Sequence, residues 1–135
     1  MTYEYKAALL SVHDGDTITV MLDQGLKEYR KMNIRLFGIN APELSTPAGP
    51  PSRDHLMNLL TAGVLMPPVG EGTGLNKVVL VIRTIKDAAD KYGERWDGKV
   101  WLESSGTWGS DNEFVVTSPS LNSQMVTDGY AVVYP

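Results

Sequence analysis

The sequence contains no cysteine, which excludes disulfide bonds, thiolate metal sites and a cysteine nucleophile. No apolar run approaches the ~20 residues of a membrane span. The first four residues, Met-Thr-Tyr-Glu, lack the basic and apolar regions of a signal peptide. Internal repeats and low-complexity segments are also absent from the sequence. We therefore expect a complete cytoplasmic protein that does not enter a membrane.

Basic residues are few, and none follows Lys99. The net charge of −4 argues mildly against a general nucleic-acid-binding surface, which is normally basic. The earlier part of the chain still offers a group of cations, namely Arg30, Lys31, Arg35, Arg83, Lys86, Lys91 and Arg95. A local basic cleft is compatible with this distribution, whereas a strong long-range basic field is not.

The chain has 135 residues, of which 42% are hydrophobic, and this predicts one globular domain, 1–135, with one core. Three strands are expected first, because residues 16–22 and 27–39 alternate apolar and polar side chains and Asp-Gly at 14–15 is a strong hairpin signal. The expected inward-facing residues of these two strands are Ile18, Val20, Leu22, Met32, Ile34 and Leu36.

Two short helices and further strands are expected after residue 44. Ser52 is the predicted N-cap of the first helix, which has an apolar stripe of leucines and ends at Gly63. Ser118-Pro119 opens the second helix and Gly129 closes it. The other predicted strands cover 77–85, 99–103 and 113–117, with a long hairpin tip at 104–112 that exposes Trp108. This order predicts a β-rich α+β fold, an OB-fold five-stranded barrel with two short helices and an extended C-terminal hairpin.

Three polar segments interrupt the apolar pattern. They are Asp14-Gly15-Asp16-Thr17, then Arg35 with Asn40, Ala41, Pro42 and Glu43, and then Asp90-Lys91-Tyr92-Gly93-Glu94-Arg95. Each has an ordinary structural explanation: a turn stabilised by aspartate, an arginine that reaches the barrel edge, and a solvated loop. An arginine on a strand, close to an amide and a carboxylate on a proline-stiffened turn, also suits an anion site beside a cation site.

In their order, these segments resemble the staphylococcal nuclease (thermonuclease) family. The resemblance extends to Gly38-Ile39, Leu121-Asn122 and Gly129-Tyr130-Ala131 and covers nearly the whole chain. It implies an OB barrel that hydrolyses phosphodiester bonds in DNA and RNA with Ca²⁺. It also implies a monomer that favours single-stranded substrate.

The resemblance assigns a role to each matching residue. Asp16, Asn40 and the main-chain carbonyl of Ala41 are the implied direct Ca²⁺ ligands, and Asp14 acts through water. Arg35 and Arg95 bind the scissile phosphate, and Glu43 is the general base or orients the attacking water. The implied nucleotide-binding residues are Tyr92, Lys91 and, more loosely matched, Tyr134.

Elementary chemistry supports these roles. Guanidinium groups suit the charge that develops on phosphate oxygens, and Ca²⁺ prefers hard oxygen ligands. A carboxylate such as Glu43 can accept a proton from the attacking water. His13 and His55 are weaker candidates for the base, because one lies in a turn and the other in the first turn of a surface helix.

The chain departs from the family pattern at two site positions. Asn40 replaces an aspartate and removes one negative charge from the cation site, and Glu94 is inserted before Arg95. Two functions therefore remain open: an active Ca²⁺-dependent nuclease, and a nuclease-like OB domain that binds nucleic acid or a protein partner without cutting.

Overall fold

The computed structural model describes residues 2–61, 78–89, 95–109 and 113–134. In chain order these residues form β1 (Thr2–Asp14), β2 (Thr17–Asp23), β3 (Tyr29–Leu36), β4 (Ile39–Asn40), α1 (Gly49–Leu60), β5 (Val79–Ala89), β6 (Arg95–Leu102), β7 (Gly106–Trp108), β8 (Phe114–Val116), α2 (Leu121–Thr127) and β9 (Val132–Val133). A 3-10 turn, Glu103–Ser105, links β6 to β7. Neither helix of the described chain has the length and apolar composition needed to cross a membrane.

Five strands close into a barrel in the order β1-β2-β3-β6-β5. β1 is antiparallel to both of its neighbours, whereas β3 and β6 are parallel. The barrel with its two helices and the β7–β8 hairpin confirms the predicted OB-fold class. Closure gives each of these strands two neighbours, although β3 and β6 pair only over residues 33–36 and 95–98.

The barrel interior is built from alternate positions along the strands. The residues predicted to face inward on β2 and β3 are all buried. Residues from β1, β5, β6 and both helices complete the same core, among them Ala7, Leu9, Leu56, Leu60, Leu80, Ile82, Val100, Leu121 and Met125. The other face of β2 and β3 is mostly polar, with Met21 among the residues Thr17, Thr19, Lys31, Asn33 and Arg35.

The third strand is shorter than predicted. It ends at Leu36, and Gly38, with φ of 84°, turns the chain so that β4 pairs with β9. Asn122 fixes this corner: its Nδ2 donates to the carbonyl oxygens of Phe37 at 2.8 Å and Gly98 at 3.0 Å. Its Oδ1 accepts from the Val100 backbone N–H at 3.1 Å. The corner matters because the residues on either side of it line the candidate site.

Both predicted helix starts were wrong. Helix α1 begins at Gly49 after Ala48, so Ser52 lies inside the helix, where it is buried and donates to the Tyr130 carbonyl oxygen. Helix α2 begins at Leu121, with Ser120 as an N-cap whose hydroxyl accepts from the Ser123 N–H. The predicted end of the first helix, Gly63, lies outside the described residues. The predicted end of the second is confirmed, since Gly129 has φ of 84° after the last turn.

Trp108 is half-buried rather than exposed. Its ring contacts Phe114 with centroids 5.1 Å apart, and its Nε1–H donates to Glu103 Oε2 at 3.2 Å. The β7–β8 hairpin thus covers a small second core, formed by Val81, Trp101 and Phe114, on the outside of the barrel.

Candidate functional site

The first two polar segments meet where the β1–β2 turn lies beside the end of β3. The strand register places Asp14 opposite Thr17 and Thr17 opposite Arg35, so these three residues form one row across three strands. Asp16 lies in the turn just before β2, and its carbonyl oxygen accepts from the Leu36 N–H at 2.7 Å. The hairpin thus brings Asp16 and Arg35 together through backbone pairing alone.

Asp16 is a buried acid whose polar neighbours include Ala41, Thr17 and Arg35. Its residue is 7% exposed. Its Oδ2 accepts from the Ala41 N–H at 2.9 Å, and its Oδ1 accepts from the Thr17 hydroxyl at 3.0 Å. The Arg35 guanidinium lies 3.8 Å from Oδ2. Burial of a carboxylate is costly unless it is paired and hydrogen-bonded, and these contacts provide that compensation.

Arg35 is half-buried and only partly engaged. Its Nη2 donates to the Ile39 carbonyl oxygen at 3.1 Å, and its Cζ lies 5.4 Å from the ring centroid of Tyr134. The 3.8 Å separation from Asp16 is an ion pair without a hydrogen bond. Guanidinium carries five N–H donors, and among the described residues the hydrogen bond to Ile39 uses one of them. The structure gives the other donors no hydrogen-bond acceptor within residues 2–61, 78–89, 95–109 and 113–134.

Asp14 lies beside Asp16, and its surroundings disfavour the ionised form of its carboxyl group. Burial raises the pKa of the Asp14 carboxyl, and a side-chain hydrogen bond with Asp16 raises it further. The Asp16 backbone N–H, which donates to Asp14 Oδ1 at 3.0 Å, and the charge of His13 oppose this increase in pKa in part. The two carboxyl groups are therefore close enough for their negative charges to conflict.

Helix α1 supports the aspartate turn from behind. A Cβ atom on Gly15 would overlap the Ser52 hydroxyl and approach the Ala41 side chain to 2.8 Å, so the turn and the helix are in direct contact. Ser52 in turn donates to the Tyr130 carbonyl oxygen at 2.8 Å. His55 of the same helix stacks on the Tyr130 ring, with centroids 4.0 Å apart, and its Nε2 lies 2.8 Å from Asp128 Oδ2.

The structure brings together Asp14, Asp16, Arg35, Ala41 and Tyr134 of the predicted site. Asn40 and Glu43 are nearby in sequence and exposed, and among the described residues neither side chain has a polar partner. The Glu43 main chain is fixed, since its carbonyl oxygen accepts from the Thr46 N–H at 2.9 Å and the Thr46 hydroxyl at 2.6 Å. Glu43 is thus held on a defined turn with its carboxylate free.

The third predicted segment is described only at its end. Arg95 begins β6 and is registered opposite Asn33, two residues before Arg35, while Asp97 stands opposite Arg35 itself. Tyr92, Lys91 and Glu94 lie outside the described residues. The backbone of the second predicted arginine is therefore on the strand adjacent to Arg35.

The oxygen atoms at this site are of the chemical types that hard divalent cations prefer as ligands. Asp14 and Asp16 supply two neighbouring carboxyl groups whose negative charges a cation would offset, and Ala41 and Asn40 add carbonyl and amide oxygens. In the part of the chain that the structure describes, three or more His, Cys, Asp or Glu side chains do not gather at any point. Among the described residues, the carboxyl groups gathered at this point are therefore the pair Asp14 and Asp16.

Sequence reasoning missed three residues that hold the site in place. Thr17 was part of the quoted motif, but its hydrogen bond to Asp16 was not foreseen. Ser52 and Asn122 act through contacts with residues far away in sequence, and a single sequence carries no signal for such contacts. A comparison with protein-family models and with curated proteins finds no match to this chain.

Proposed function

We propose that this protein is a Ca²⁺-dependent phosphodiesterase that hydrolyses DNA or RNA, with single strands favoured. The observation that carries the proposal is the arrangement of Arg35 and Asp16. A half-buried guanidinium, which makes one hydrogen bond within the described part of the chain, lies beside a buried carboxylate. A phosphate and a divalent cation can be bound there as neighbours.

Arg35 binds the scissile phosphate. Its position is set by the Ile39 carbonyl oxygen, the Asp16 carboxylate and the Tyr134 ring. A guanidinium held in this way can donate to two phosphate oxygens and offset the negative charge that grows on them as water attacks. Preorganisation matters because little reorientation is then needed when the substrate arrives.

Asp16, Asn40, the Ala41 carbonyl and, through water, Asp14 would hold Ca²⁺. When bound, the cation supplies Lewis-acid polarisation of the phosphate and orients water. Glu43 accepts the proton of the attacking water or orients that water, and its exposed carboxylate on a fixed turn suits either role. Arg95 is the second phosphate ligand, with Tyr92, Lys91 and Tyr134 as contacts to the nucleotide.

A second function is a nuclease-like domain that binds nucleic acid or a protein partner without cutting. Two observations favour it. Asn40 leaves the cation site with one fewer charge than the family pattern, and Asp97 is registered opposite Arg35, where it reduces the positive character of the site. In both proposals we take the protein to be a cytoplasmic monomer.

The deciding experiment is degradation of a labelled single-stranded DNA and a single-stranded RNA by purified protein, with Ca²⁺ and then with a chelator. We expect cleavage that stops on chelation and returns when Ca²⁺ is added in excess. An Arg35→Gln variant, purified in parallel, excludes a contaminating nuclease. Binding without cleavage at any Ca²⁺ concentration would replace the nuclease proposal with the binding-domain proposal.

A further inference from the structure

The outer face of β1, β2 and β3 continues away from Arg35 as ordered cross-strand rows. Next to the row of Asp14, Thr17 and Arg35 lies a row of Ser11, Thr19 and Asn33, followed by a row of Ala8, Met21 and Lys31. Same-face positions on a strand recur about every 6.6 Å, so Lys31 lies roughly 13 Å along β3 from Arg35. The candidate site is thus one end of a longer polar face.

A groove of about 550 Å³ lies over this face. It is lined by Leu10, Ser11, Thr19, Lys31, Met32 and Asn33. The Thr19 hydroxyl donates to Asn33 Oδ1 at 2.8 Å, which fixes the amide and leaves its Nδ2 donors available. The groove therefore offers hydroxyl and amide donors with a cation, and no carboxylate is among the described residues that line it.

Two cations on this face, Arg35 and Lys31, are spaced so that each can contact a phosphate of one extended chain. They lie two rows apart. The acids at the site end are Asp14 and Asp16, which belong to the proposed cation site, and Asp97, which is registered opposite Arg35. At the far end, Asp23 is registered opposite Tyr29, and its Oδ1 accepts from the Gly25 N–H at 2.9 Å. Tyr29 is 63% exposed there and offers an aromatic ring for stacking.

We propose that this groove binds the nucleotides that flank the phosphate at Arg35, so that the protein prefers extended single-stranded chains to mononucleotides or duplexes. Lys31 contacts a flanking phosphate, Asn33 donates to the sugar-phosphate backbone or a base edge, and Tyr29 stacks on an unpaired base. A duplex should bind less tightly because its base faces are stacked and cannot stack on Tyr29. Its higher density of negative charge is also repelled more strongly by a protein with a net charge of −4. The inference rests on the proposed function for the role of Arg35, but binding in the groove does not require cleavage.

The test measures binding, with a chelator present so that hydrolysis does not interfere. Fluorescein-labelled oligothymidylate of about ten nucleotides, within the usual range for one OB fold, is titrated with protein at several salt concentrations. Thymidine dinucleotide is the short competitor. The Lys31→Gln variant is compared with Arg30→Gln, which removes one positive charge from the preceding residue of β3. Arg30 is exposed, and as the adjacent residue of the strand it lies on the other face from the groove, beside Tyr5 and Leu22.

For Lys31→Gln we expect roughly three- to tenfold weaker binding of the long oligonucleotide, and a salt slope smaller by about 0.7, as for one lost phosphate contact. Binding of the dinucleotide should change less than twofold, and Arg30→Gln should match the wild type in both measurements. If both variants lost the same affinity, or if Lys31→Gln lost the same affinity for long and short ligands, the proposal that the groove binds flanking nucleotides would be wrong. The wild type could show no cleavage while Lys31→Gln still weakens binding of the long oligonucleotide selectively. In that case the nuclease proposal is wrong and the proposal of a binding groove is supported.

Discussion

Replacement of Asn122 by alanine should destabilise the corner on which the site depends. The side chain is buried, and its three hydrogen bonds join the end of β3 to β6. In Asn122→Ala the Gly98 carbonyl oxygen keeps its bond from the Phe37 N–H at 2.9 Å, whereas the Val100 N–H and the Phe37 carbonyl lose the partners described above. Each buried polar group left without a partner costs about 1–3 kcal/mol, so we expect a loss of about 2–5 kcal/mol.

That loss is a large part of the 5–15 kcal/mol that typically stabilises a domain. Urea denaturation followed by tryptophan fluorescence measures the free energy of unfolding, and a thermal scan should show a fall in Tm of about ten degrees or more. Gln124→Ala is the matched control, since it places alanine in the same helix and removes one exposed hydrogen bond, to the Pro119 carbonyl oxygen. The control should cost no more than about 0.5 kcal/mol. A difference below about 1 kcal/mol between the two variants would refute the reasoning, because water or a shifted main chain would then satisfy the groups that Asn122 is argued to hold.

Four further predictions concern the site. Arg35→Lys keeps the charge but loses the bidentate fork, so phosphodiesterase activity should fall about 10²-fold or more with folding intact, and near wild-type turnover would leave Arg35 a structural role. Asn40→Asp should lower the Ca²⁺ concentration for half-maximal activity about tenfold, and an unchanged calcium titration would remove Asn40 from the ligands. The raised pKa of Asp14 means that its ionisation destabilises the fold, so the stability this carboxyl contributes below its unfolded pKa is lost as pH rises through the folded value. Asp14→Asn, measured with a chelator, should therefore be more stable than wild type near neutral pH, and the difference should vanish below the ordinary aspartate pKa. Gly15→Ala should cost about 1–3 kcal/mol in urea denaturation, because the added methyl group meets Ser52 and Ala41, and an unchanged midpoint would show that α1 moves away freely.

The barrel could be predicted because its signals are local. Alternation on β2 and β3 assigned Ile18 and Ile34 to the core, and the short connection between these two strands, residues 24–28, sets the register that pairs Thr17 with Arg35. The proximity of Asp16 and Arg35 then follows from short-range structure. Local sequence signals can therefore indicate that these two residues lie together.

The remaining parts of the site depend on contacts between distant segments. Ser52 has the residue type of an N-cap, but its hydroxyl bonds Tyr130 instead, and tertiary packing decided this outcome over local preference. Asn122 belongs to a motif that is visible in the sequence. The sequence does not show that its side chain bonds the carbonyl oxygens of Phe37, just after β3, and Gly98 of β6. The Glu43 side chain lies in a loop, where no periodicity fixes direction, and so its geometry toward Arg35 could not be derived from sequence.

The connectivity of the barrel has a consequence for the order of folding. The meander of β1, β2 and β3 needs only hairpin contacts, and it already contains Asp14, Asp16 and Arg35. Closure is different, because Thr2 must find Ile85 and the start of β6 must align in parallel with β3. Such non-local pairing places small β-rich domains among the slower folders, in milliseconds to seconds. A chain emerging from the ribosome can therefore form the acid–arginine pair of the site well before the barrel that buries it can close.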